Sequence, residues 1–289
     1  MTSTTDTRPV RRAPLFPRAA PLPVSGYCPP PGQVDVWLVP VSPHQCTEAE
    51  RSAHLLGPDA TRRLDRGVHP RLRPRVLLAE VTLRLLLAAC AGLPPQLVRP
   101  VRERCAACRG RHGRQVLPEV PGLHFSTDHT AETVVCALAA APVGIAAEER
   151  EPWDAGLLDA DTLAPQLHPA ERLAIAVQPP RRRGAALLNC WTRKEAYLRG
   201  SHNGLEADRG TICVGPGPGY GTPLARVDSW SLLPVPAGAG VSAAVALRRA
   251  GELPPRVRTF GADLTAWRHA APHRPAELSR LPSGSEKGN

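Results

Sequence analysis

Hydrophobic positions along this chain alternate between two periods, and the changes of period mark out its elements. Val34-Asp35-Val36-Trp37-Leu38-Val39 starts as strict alternation and becomes apolar on both faces, which predicts a first core strand. Residues 47–66 read as a charged amphipathic helix, opened by Thr47 with Glu50 three positions on, the spacing of a capping box. Leu77, Val81, Leu85 and Ala88 then recur at helical spacing over 76–93, and Gly92 with Pro94-Pro95 ends that helix. Leu123-His124-Phe125-Ser126 predicts a short strand, and 134–138 with 143–146 predict a hairpin through a turn of small residues. Helical patterns return at 157–163, 169–176 and 185–198, with the proline- and arginine-rich run 179–184 read as a loop. Late strands are predicted at 211–214, 225–231 and 241–246.

The segments before and after this pattern lack periodicity. Residues 1–33, rich in proline and arginine, predict a disordered N-terminal segment, and 251–289 an accessory, disordered tail. What lies between divides into 34–140 and 141–250, each mixing helices with a few strands, so the fold class is α+β.

Composition narrows the field. The formal net charge is +10, with 36 lysines and arginines, and lysine occurs only at Lys194 and Lys287. Such a charge permits nucleic-acid binding, but the cations are scattered and aromatic residues make up only 4%, so platforms for stacking bases are scarce. A polyanionic small ligand or an acidic protein partner suits the charge instead. No apolar run approaches the roughly 20 residues of a bilayer span, and residues 1–31 lack the apolar block of a secretory signal, so a cytoplasmic protein with no membrane partner is expected. Eight cysteines in that setting predict free thiols. Cys105 and Cys108 with His112 supply three zinc ligands, but with no fourth nearby the plainer reading is a thiol pair in a loop.

Three motifs carry chemistry. Trp191-Thr192-Arg193-Lys194-Glu195-Ala196-Tyr197-Leu198-Arg199 places an acid directly after a cation on a helix. Upstream lies Pro142-Val143-Gly144-Ile145-Ala146-Ala147-Glu148, and before it His124-Phe125-Ser126-Thr127-Asp128-His129-Thr130. In that order and spacing they resemble the surfactin-type 4′-phosphopantetheinyl transferases, with the resemblance covering about 34–250.

The resemblance implies two similar α+β halves related by a pseudo-two-fold axis, with the active site at their interface. It implies a monomer that moves the phosphopantetheine arm of coenzyme A to a serine of an apo acyl or peptidyl carrier protein, with Mg2+. Glu195 and Lys194 then stand at the catalytic positions, and Glu148 and Glu195 are the implied metal ligands. Arg75, Arg114, His129, Lys194 and Arg199 are the implied contacts to coenzyme A, with Lys194 meeting phosphate. The chain departs from the pattern at Ala146, where the family's GxDxE motif has a metal-binding aspartate, and at Asp128, where it has serine. Asp128 is expected to hold His129 protonated, Trp191 to be core packing, and Arg199 at its plainest to pair with Glu195 four residues back. Glu149, adjacent to Glu148, faces the other side of its strand and does not replace the lost acid. The alternative function is a catalytically silent relative that binds coenzyme A or a carrier domain as a regulatory module.

Overall fold

Strand β1 (Gln33–Pro40) is buried along nearly its whole length because it lies inside a sheet covered on both faces. The computed structural model describes residues 16–104, 110, 113–151, 160–201, 209–220, 226–249 and 254–270. The first sheet has the order β10-β1-β5-β4, with β4 at His124–His129, β5 at Thr133–Ala139 and β10 at Arg256–Gly261. The second has the order β6-β9-β8-β7, with β6 at Val143–Glu149, β7 at Arg226–Val227, β8 at Trp230–Val235 and β9 at Val241–Arg248. A two-stranded ribbon joins β2 (Val101–Arg102) to β3 (Gln115–Val116).

Alternation along β5 sorts the layers. Val134, Cys136 and Leu138 face a cluster with Leu77, Leu78, Val81 and Leu85 of α3 (Arg73–Ala91). Val135, Ala137 and Ala139 face the other way, against Ile145, Ala147, Val241 and Val245 of the second sheet. On β6, Ala146 points away from that seam, into a cluster with Leu187, Leu188 and Ala196 of α5 (Pro180–Ser201). The order is therefore helix, sheet, sheet, helix, and the class is α+β. Backbones come close where β6 meets α5. A Cβ at Gly144 would collide with the Ala196 carbonyl and the Gly200 amide, so that motif glycine is required by packing.

Strand β6 is the edge of its sheet, which leaves its outward amides in need of acceptors. Two residues of β4 meet them: Ser126 Oγ accepts from Ile145 N at 3.1 Å, and Asp128 Oδ2 accepts from Ala147 N at 2.9 Å. The two sheets are thus joined edge to edge by side chains, and Asp128 is one of the joints.

Several expectations are corrected. Strands 5 and 6 do not form a hairpin: β6 pairs with β9, and the chain passes between sheets at Ala141-Pro142, where proline has no amide to continue a ladder. The helix expected over 47–66 is two, α1 (Pro43–Arg51) and α2 (Pro58–Gly67), broken at Gly57-Pro58. Its cap is Ser42, which accepts from Gln45 N, while Thr47 Oγ1 donates back to the Pro43 carbonyl. The run 179–184 lies mostly inside α5, because Pro180 occupies its first position, where a missing amide is harmless. Residues 211–214 form no strand, since the segment opens with the 3-10 turn Arg209–Thr211. Instead of one strand, 225–231 contains the β7–β8 turn, with Asp228 at a positive φ of 50°. The predicted helix 157–163 falls largely outside the described residues, which hold a helical turn at Ala160–Leu163.

The segments expected to be disordered also contribute. Arg256–Gly261 forms β10, parallel to β1, and α6 (Leu264–Ala270) follows. Trp267 of α6 is 1% exposed, meets Trp37 edge to face at 5.4 Å, and donates its indole N–H to the Ala20 carbonyl at 2.8 Å. Leu22 and Tyr27, from the other predicted disordered segment, pack on the same core. β10 was masked in the sequence because its outer positions, Arg256 and Arg258, alternate with few apolar residues, as befits an edge strand. No helix among the described residues is long and apolar enough to cross a membrane.

Candidate functional site

At the seam of the two sheets a cleft of about 500 Å³ opens between β4, α5 and the β2–β3 ribbon. Glu195, Leu198 and Arg199 reach it from α5, Asp128 and His129 from the end of β4, Arg102 and Arg114 from the ribbon, Glu80 from α3, and Arg209 from the turn beyond α5.

Helical spacing puts Glu195 and Arg199 on one face of α5, toward the cleft, yet they do not pair with each other. Arg199 Nη1 bonds instead to Asp128 Oδ1 at 2.8 Å and donates to the Ile145 carbonyl at 3.2 Å, clamping β4 to β6. Glu195 Oε1 lies 2.9 Å from Arg209 Nη2, an ion pair without hydrogen-bond alignment. Arg209 also donates to Gln166 Oε1 at 3.1 Å and lies over the Trp191 ring at 5.6 Å.

Lys194 does not meet the cleft. Its ammonium group is fully buried, 2.6 Å from Glu171 Oε2, and donates to the carbonyls of Gln166 and Arg209 at 3.0 and 2.8 Å. Glu171 in turn accepts from Val214 N, Gly215 N and His168 N. One residue along a helix rotates the side chain by about 100°, so a neighbour of cleft-facing Glu195 must serve another face. The expected phosphate contact is corrected to a structural one: Lys194 fixes the segment that carries Arg209.

Glu148 shares a face of β6 with Ala146 and lies within electrostatic reach of Asp128, Glu195 and Arg199. Burial pushes its carboxyl up to about 7, with Asp128 adding to the rise and the Trp191 indole hydrogen bond opposing it. Trp191 is therefore more than core packing, since it holds Glu148 and underlies Arg209. Because the folded state binds this proton more tightly than the unfolded chain, the shift opposes folding as pH rises from 4.5 through 7. Glu148→Gln keeps the indole's acceptor and removes the charge. Its melting temperature should exceed the parent's by roughly 3 °C at about pH 8, and the gain should shrink toward pH 5. A pH-independent difference in thermal scans would contradict this.

His129 lines the cleft as expected, but its pKa is lowered: burial is the main cause, Arg75 and Arg199 add to it, and Asp128 opposes without prevailing. The expected support from Asp128 is thus outweighed by burial and the two arginines, and its oxygens are also engaged by Arg199 and the Ala147 amide. Arg75 lies close enough to influence His129, at the start of α3. Arg114 lines the cleft and bonds Glu103 Oε2 at 3.1 Å. Glu149 faces away from Glu148, as strand alternation requires, and accepts from the Ala131 amide. Cys105, Cys108 and His112 lie outside the described residues.

Sequence reasoning missed Arg209, Arg102, Glu80 and Glu171. Only Glu171 had a local signal, because His168-Pro-Ala-Glu has capping-box spacing, and the structure forms that box at the start of α4 (Pro169–Ala176).

No family model matches the chain. It is similar to the 4′-phosphopantetheinyl transferase psf-1 of Bacillus pumilus, at 28% identity over 131 residues, 45% of this chain and 51% of the relative. It is also similar to a 4′-phosphopantetheinyl transferase of Bacillus subtilis, at 24% over 165 residues, 56% of this chain and 67% of the relative. A third relative, the 4′-phosphopantetheinyl transferase Sfp of Bacillus subtilis strain 168, matches at 26% over 105 residues. Each of these relatives is named a 4′-phosphopantetheinyl transferase, the family that the motifs of this chain resemble. The chain spans about half the length of the first of these relatives.

The resemblance to these transferases implies a magnesium ion, which takes hard oxygen ligands. The residues of this chain do not make that set. Ala146 is a buried methyl group, Glu195 is engaged by Arg209, and Glu148 by Trp191. Among the described residues no three acidic, histidine or cysteine side chains are grouped to hold a metal ion.

Proposed function

We propose that the chain transfers the 4′-phosphopantetheine arm of coenzyme A to a serine of an acyl or peptidyl carrier protein. The observation that carries this reading is the arginine-lined cleft itself, which gathers Glu195 and Arg199 of the WxxKEA helix with His129 of β4. Guanidinium groups present fixed forks of donors suited to a diphosphate, and charge gathering on its oxygens is what this reaction must stabilise. In the step, the serine oxygen bonds to the β-phosphorus and the bond from that phosphorus to the bridging oxygen breaks. The product 3′,5′-ADP leaves with the electron pair, and the serine proton passes to the Glu195 carboxylate and on to solvent. Arg199, Arg114 and His129 hold and orient phosphate oxygens.

The pseudo-two-fold arrangement belongs to the same proposal. It is supported by the repeated unit of one long helix on a four-stranded sheet, with 34–140, whose sheet is completed by β10, and 141–250 as the halves and the cleft at their seam. The monomeric state is proposed with it.

Full-length protein incubated with coenzyme A and a panel of apo carrier proteins should add the mass of one phosphopantetheine arm to at least one carrier. Ala146 favours a second reading, a silent relative that binds coenzyme A without transferring its arm. Binding without mass gain on any carrier would select that reading and overturn the first.

A further inference from the structure

Two acids of the cleft, Asp128 and Glu195, already have cations. Asp128 holds Arg199 at 2.8 Å and Glu195 holds Arg209 at 2.9 Å, and the members of each pair come from different segments of the chain. A divalent ion entering between these acids must displace both guanidinium groups or lie beside them against their charge. Where the family pattern places one more acid to outweigh that repulsion, the chain has the buried methyl of Ala146.

The guanidinium groups also keep donors in reserve. Among the described residues Arg199 makes its contacts through Nη1, to Asp128, Ile145 and Thr127. Arg209 Nε is buried without a hydrogen-bond partner, although its Nη atoms are engaged. Arginine has five donors and stays charged, so each can hold its acid and a phosphate oxygen together. Arg209 is fixed for this: the Lys194 ammonium binds its carbonyl, and its side chain spans the Trp191 ring.

Resting on the transferase reading, we infer that Arg199 and Arg209 take the charge-neutralising place of a divalent cation, so that the cleft binds the diphosphate of coenzyme A without metal. Arg209 is then a binding residue outside the motifs that carry the resemblance.

Calorimetric titration of the full chain with coenzyme A, in chelator and again in excess magnesium, tests this. The two dissociation constants should agree within about twofold. Arg209→Gln should weaken binding about tenfold or more in both buffers, and Arg209→Lys should recover part of the loss. Affinity that appears or tightens tenfold only with magnesium overturns this inference and leaves the transferase reading standing. Heat in neither buffer overturns both. Chelator-insensitive binding that Arg209→Gln leaves unchanged, in a variant with parental thermal stability, also overturns the assignment.

Discussion

Lys194→Met should cost the fold about 3–5 kcal/mol, because it leaves the Glu171 carboxylate buried without its cation. For a chain of this size that is roughly a 10 °C drop in melting temperature and a large share of total stability. Methionine fills most of the space, so the loss reports charge rather than a cavity. Glu171 also caps the amides of Val214 and Gly215, so the segment beyond α5 should loosen first, and Arg209 with it. Urea titration measures the stability. A variant as stable as its parent, yet with coenzyme A binding abolished, would return Lys194 to the phosphate role that the motif suggests.

Glu195→Gln should reduce arm transfer by about 100-fold or more, the lower range for losing a general base. The amide keeps the shape and a hydrogen-bonding oxygen, but it cannot take the serine proton. Removing the charge also frees Arg209 from its ion pair, so coenzyme A affinity should hold or rise while turnover falls. Single-turnover mass measurements on a modified carrier separate the two effects. A rate within threefold of the parent, about 0.7 kcal/mol of barrier, would remove Glu195 from the chemistry.

The sequence exposed the parts of the fold that follow from short-range pattern. The α3 periodicity, its glycine stop, and the strands β1, β4, β5 and β9 all lie close to their predicted positions, because each buries a regular face. What it concealed depends on partners distant in the chain. Strand β6 reads like half of a hairpin with β5, and only the β9 pairing, about a hundred residues on, assigns it to another sheet. Within the site, Glu195, Arg199, His129 and Arg114 were legible and do line the cleft. Lys194 was misread because adjacency to Glu195 turns it to another face, and the partner that buries it there, Glu171, lies 23 residues away in the chain. Arg209 was invisible, since its position rests on a carbonyl contact with that buried lysine. Asp128, an oddity in the motif, proves to join two sheet edges and hold Arg199.

The parallel pairing of β10 with β1 has a consequence for biosynthesis. Strand β1 leaves the ribosome well before its neighbour on one side, which is made only when residues 256–261 have been translated. Until then one flank of a strongly apolar strand has open amides and carbonyls, a template for wrong partners on other nascent chains. Yield in cells should therefore depend on chaperone occupancy during the long interval between the two strands, and a chain cut short before residue 256 should aggregate where one carrying β10 matures.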